Sequence, residues 1–150
     1  MIPTLEEMKA GRTLAEVQGF PAELGAEVAR IAAREAAAGD LAVARGILEG
    51  LVVTNPKDAI AWALLSQVVR RGGEPLLAIV FAEAAHRLAP DDRQVILVRA
   101  EAFLGVPPDA GTGGPLRRSI ARTGLESLQD GGDDVARRAA ALLRAMGPEP

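Results

Sequence analysis

The chain contains no cysteine, no tyrosine and a single histidine, His86. Without cysteine there is no disulfide, no thiolate to hold a metal and no thiol nucleophile, and one imidazole is too few for a zinc site. No metal and no cofactor are expected. Nothing in the spacing supplies His86 with an orienting carboxylate or a serine, so an enzyme is the least favoured class. Charge of one sign is scarce as well: 17 basic residues against 20 acidic ones leave a net charge of -3, which is not the basic footprint of a nucleic-acid binder. Long apolar runs are missing. The best stretch, residues 76–85, already contains Glu83 and falls short of the roughly 18 apolar residues a membrane span needs, so no direct membrane insertion is expected. Residues 1–7 show no basic patch leading into an apolar run; no secretory signal is read there, and the expected location is the cytoplasm.

What is present is helix-forming material. Apolar residues make up 49% of the 150 positions and charged residues 25%, with alanine at 29 positions; alanine has the lowest intrinsic cost in a helix. Gly39, Ala44 and Pro56 recur as Gly73, Ala78 and Pro90, each 34 residues on, the period of a tetratricopeptide-type helix pair. In the second copy Trp62, Leu65, Gly73, Ala78, Ala85 and Pro90 take the packing positions of that repeat, with Ser66 where Gly or Ala is usual. In the first copy Val28, Ile31, Ala32, Gly39, Ala44, Leu48 and Pro56 do so, with Glu35 and Leu51 departing from it. These residue types are steric requirements. Antiparallel helices approach closely only where one presents a small side chain, such as Ala32 or Ala44, to a larger neighbour. Gly39 and Gly73 permit a left-handed turn after each first helix, Pro56 and Pro90 stop the second helices, and Asp58 and Asp92 are placed to cap the helices that follow.

A third copy opens at Arg93 with Ile96, Ala100, Phe103 and Leu104, breaks at Gly105-Val106-Pro107-Pro108, and resumes as helices over 116–128 and 133–146. The expected fold is therefore all-α, a tetratricopeptide-repeat-like helical solenoid of three helix pairs with an N-terminal arm and a C-terminal closing helix. It forms one domain: arm 1–20, repeats 21–58, 59–92 and 93–130, closing helix and tail 131–150. Individual signals take structural readings in this frame. Trp62 fills the core, and His86 is a half-buried or surface residue of the second repeat. The glycine-rich stretch 111–118 lacks the Lys-Ser/Thr of a phosphate loop and reads as a flexible loop. Glu6/Glu7, Asp91/Asp92 and Asp133/Asp134 stand near helix starts, where the macrodipole favours negative charge. Arg117, Arg118, Arg122, Arg137, Arg138 and Arg144 form a solvated basic face.

Ahead of the first repeat, Thr13 with Glu16 three residues on makes a capping box, Gly19 ends that short helix and Pro21 opens the next. Gly11, Thr13, Leu14, Val17, Phe20 and Pro21 resemble the Gly-x-Thr-Leu/Ile-x-x-apolar-x-x-Ile/Phe-Pro stretch that leads into the three repeats of the class II chaperones of type III secretion systems, the SycD/LcrH family. The resemblance covers nearly the whole chain. It implies a cytoplasmic, non-catalytic chaperone that holds an extended segment of a hydrophobic translocator protein in the concave groove of the first helices, and a homodimer to which the N-terminal region contributes.

Transferred to this sequence, the groove comprises Ala29, Ala33 and Ala36 from repeat one, Ile60, Ala63 and Gln67 from repeat two, and Leu97, Glu101 and Leu104 from repeat three. The family tends to line its groove with tyrosine, whereas repeat one here offers Ala26, Ala29, Ala33, Ala36 and Ala37, leaving room for bulky anchors on the client. Leu5, Met8, Leu14, Val17 and Phe20 are more apolar residues than a short free arm exposes, and are the expected dimerisation residues. The alternative function is a general tetratricopeptide-repeat adaptor for protein–protein interaction with no secretion role.

Overall fold

The computed structural model describes residues 5–149, and every regular element among them is an α-helix. Helices α1 (Leu5–Lys9) and α2 (Leu14–Gln18) form the arm. Three antiparallel pairs follow: α3 (Ala22–Ala37) with α4 (Leu41–Thr54), α5 (Ala59–Arg71) with α6 (Pro75–Leu88), and α7 (Arg93–Leu104) with α8 (Gly114–Glu126). Helix α9 (Asp134–Met146) closes the stack. From α3 onward each helix packs on the next, and α5 also touches α3 and α7, so the first helices of the three pairs lie side by side. No helix among the described residues is long and apolar enough to cross a membrane.

The sequence period reappears as geometry. A shift of 34 residues carries α4 onto α6. Gly39 and Gly73 sit at φ of 94° and 87°, and the amide after each closes the same turn, Asp40 N–H donating to the Glu35 carbonyl at 2.9 Å and Glu74 N–H to the Val69 carbonyl at 3.0 Å. A Cβ at either glycine would meet nothing, so the backbone angle, not space, calls for glycine there. Asp40, Asp58, Asp92 and Asp133 each accept from the backbone N–H three residues on, capping α4, α5, α7 and α9. Helix α6 has no side-chain cap and begins on Pro75, whose fixed φ suits a first helical turn.

The main core lies between the first two pairs and α7. Ala32, Ala44, Ala61, Ala78, Ala82 and Ala85 are fully buried there with Leu48 and Leu65; the alanines let the axes approach, and each leucine contributes about 1.5–3 kcal/mol by leaving water. Ser66 earns its hydroxyl by donating to the Ala78 carbonyl at 2.7 Å within this core, a cross-link between α5 and α6 that alanine could not make. Trp62 packs on the same core beside Phe81, and its indole N–H donates to the Pro56 carbonyl at 2.8 Å. A second cluster, with Leu97, Ala121, Leu125, Leu128 and Ala139, joins α7, α8 and α9. In the loop before α8, the Arg117 guanidinium donates to the carbonyls of Pro107, Ala110 and Thr112. That cation is spent on closing the glycine-rich loop.

Candidate functional site

Helix α3 has 16 residues against 13 in α5, and its extra turn, entered directly from Pro21, projects beyond the repeat register at the N-terminal end. Between this overhang, α2, α4 and α5 lies an open cavity of about 1110 Å³. Part of its volume has a simple origin: Ala29 and Ala33 of α3 and Gly46 and Gly50 of α4 line it with nothing larger than a methyl group. Its mouth is apolar, with Phe20 50% and Ile60 42% exposed, and Leu24 and Ile47 extend that surface. Polar groups ring it at Asn55, Lys57 and Asp58. The Lys57 ammonium donates to the Gly11 carbonyl at 2.8 Å, tying the arm to the α4–α5 turn beside the cavity.

The capping box that shapes α2 also borders the cavity. Thr13 N–H donates to the Glu16 carboxylate at 2.7 Å, and Glu16 N–H donates to the Thr13 hydroxyl oxygen at 3.1 Å. Hydrogen bonding to that carboxylate by Thr13, through its backbone N–H first and its side chain second, holds the Glu16 carboxyl below the ordinary carboxylate value. An apolar cleft with a polar rim can receive the side chains of an extended peptide while hydrogen-bonding its backbone.

Of the nine residues expected on the groove, the fold brings Ala29, Ala33 and Ile60 to this cavity. Ala36 and Ala63 are buried in the main core between helices, and Gln67 is half-buried farther along α5. The third-repeat residues lie apart from this cavity. Leu97 is only 5% exposed and packs in the cluster of α7, α8 and α9. Glu101, 8% exposed, accepts from Arg70 of α5 at 3.2 Å and from Arg138 of α9 at 2.8 Å. Leu104 lines a separate cavity at the other end of the stack. The physical reason is α9, which lies against α7 and covers a face that repeat spacing alone leaves open.

In the arm, Met8 and Phe20 are exposed, and Leu14 and Val17 are half-buried; the Leu5 side chain lies outside the described residues. Phe20 thus belongs to the cavity mouth as well as to the arm. Leu24, Ile47 and Leu64 also line the cavity without having been singled out from the sequence. Leu24 stands ahead of the repeat register and Ile47 sits on a second helix, so only a search beyond the first-helix positions would have found those two, whereas Leu64 lies on the first helix α5. His86 lies on α6, its Nδ1 buried without a hydrogen-bond partner among the described residues.

No family model and no curated protein sequence matches this chain. Among solved structures, it is similar to the type III secretion translocator chaperone SycD of Yersinia enterocolitica, with a TM-score of 0.70 and 16% identity over 89% of this chain and 98% of that one. It is also similar to a chain of a T3SS complex from Aeromonas hydrophila, with a TM-score of 0.70 and 19% identity over 93% of this chain and 91% of that one. At these identities the likeness is one of fold, and it extends over nearly the full length of both partners.

Proposed function

We propose that this chain is a cytoplasmic, non-catalytic chaperone of a type III secretion system, and that the cavity between α2, α3, α4 and α5 receives an extended apolar segment of a translocator. The observation that carries this reading is an open cavity of about 1110 Å³ with an apolar mouth, set in a fold shared with a translocator chaperone. An extended segment has unpaired backbone groups and a few apolar anchors, and needs a surface that takes the anchors while satisfying the backbone. Ile60, Leu24 and Phe20 supply apolar contact and Asn55 and Asp58 supply polar partners. Because Ala29 and Ala33 leave the floor open, the client's anchors at this end are bulky, leucine or phenylalanine in kind.

The test is a titration of folded variants with apolar segments of the proteins encoded next to this gene. Ala33→Trp fills the cavity and Ile60→Arg puts a charge at its mouth; both positions are exposed, so circular dichroism should report parent-like helix content. Each is expected to weaken capture by about 2 kcal/mol or more, roughly 30-fold. Parent-like binding by both variants would move the client to the convex face or the arm.

A further inference from the structure

The other end of the stack holds a second cavity, of about 570 Å³, between the end of α7, the loop after it and the first turns of α8. Phe103, Leu104, Val106 and Pro115 give it an apolar wall, and Arg118 and Arg122 stand on its rim. The two arginines are four residues apart on α8, so their guanidinium groups lie on one face, a turn apart. What they bind is informative. Arg118 donates to the main-chain carbonyl of Met146 and Arg122 to that of Gly147, in the segment leaving α9. The Arg122 side chain is 11% exposed, and its sole carboxylate partner among the described residues is Glu149, itself largely exposed and 3.6 Å away. No carboxylate pairs with Arg118 among the described residues.

A desolvated guanidinium is costly without a counter-charge held close, and a contact of 3.6 Å to an exposed glutamate falls outside hydrogen-bond geometry. Residues 146–149 therefore use the chemistry of a bound peptide, two backbone carbonyls and a carboxylate, while the apolar wall beside them is left open. We propose that this cavity is a second peptide site, for an acidic segment of a partner protein with an apolar side chain close to its carboxylates, and that Glu149 is a displaceable internal stand-in for that segment. The incoming carboxylate takes Arg122 from Glu149 and pairs with Arg118, and the apolar side chain enters against Phe103, Leu104 and Val106. This site is formed by α7 and α8 and shares no lining residue with the cavity at α2–α5, so the two can be occupied together.

The experiment uses the full chain and two fluorescein-labelled, C-terminally amidated probes, Leu-Phe-Asp-Glu and its uncharged counterpart Leu-Phe-Asn-Gln, followed by fluorescence anisotropy at low and high salt. The acidic probe is expected to bind the parent, more weakly at high salt, and the uncharged one to bind at least about tenfold less well. Glu149→Ala should tighten the acidic probe by about three- to tenfold, because an internal competitor is gone. Arg118→Glu should weaken it by about tenfold or more, with Arg118→Gln as the milder variant should the reversal disturb folding. Ile60→Arg, at the distant cavity, should leave it unchanged, so this result is separable from the client-groove reading. Equal binding of the two probes, parent-like binding by folded Arg118 variants, no binding to parent and Glu149→Ala alike, or loss of binding in Ile60→Arg would each overturn the proposal.

Discussion

At the scale of single residues, the close approach of α5 and α6 depends on two small side chains. Ala78 is fully buried, and its carbonyl accepts from Ser66. Ala78→Leu is expected to force the helices apart at a cost of about 1–3 kcal/mol, read as a lower midpoint in urea with an unchanged slope. A midpoint equal to the parent's would show that the axes do not meet there. A second residue-scale effect is electrostatic. The Ala136 N–H and then the Arg93 guanidinium, 3.0 Å away, hold the Asp133 carboxyl below its ordinary value. A carboxyl depressed in the folded state stabilises above its unfolded value and loses that contribution as pH falls through the folded one. The cap of α9 is thus expected to weaken below roughly pH 4. Asp133→Asn keeps a capping oxygen but cannot titrate in this range, so amide exchange in the first turn of α9 should become less acid-sensitive than in the parent.

At the scale of elements, α9 is held by the second apolar cluster, by Asp133 at its cap and by the buried Glu101 carboxylate. Glu101 joins Arg70 of α5 to Arg138 of α9 from its place on α7, so three helices meet at one buried group. With Glu101 buried, Arg70 partly so and Arg138 half-exposed, its worth falls between that of a surface pair and that of a buried one. Glu101→Gln is expected to cost about 1–3 kcal/mol, and hydrogen exchange should rise in α9 before it rises in α5. A uniform rise across all helices would mean that Glu101 serves global stability and not the docking of α9. The arm contrasts with α9: α2 touches the stack at α4 and buries none of its own residues.

At the scale of the whole molecule, the exposed apolar side chains of the arm call for a partner surface. Met8 and Phe20 remain in solvent although α1 and α2 are folded. A dimer through this region is expected: light scattering at tens of micromolar should report twice the chain mass, and deletion of residues 1–20 should lower it. A monomer indifferent to that deletion would leave Phe20 to the cavity alone. The two ends of the stack also differ in kind. The N-terminal end has a large cavity lined by small residues such as alanine and glycine, whereas at the C-terminal end α9 covers the third pair and the smaller cavity there is rimmed by arginine.

Whatever depends on neighbours along the chain is already written in the residues. The 34-residue period, the left-handed turns at Gly39 and Gly73, the aspartate caps and the Thr13–Glu16 box are local geometries, and a residue's type is enough to specify them. The close-packing alanines were legible for the same reason, since a strict repeat gives each the same neighbours. Part of the candidate site was legible too: Ala29, Ala33 and Ile60 lie on first-helix positions and share the cavity. Three-dimensional packing placed Leu97 and Glu101 under α9, because helical periodicity says which residues share a face but not what covers it. It likewise decided that Leu24, Ile47 and Phe20 complete the cavity and that Arg118 and Arg122 meet the segment after α9. These contacts join segments about 25 residues apart or more, or lie where the repeat register ends, and no local preference encodes such a meeting.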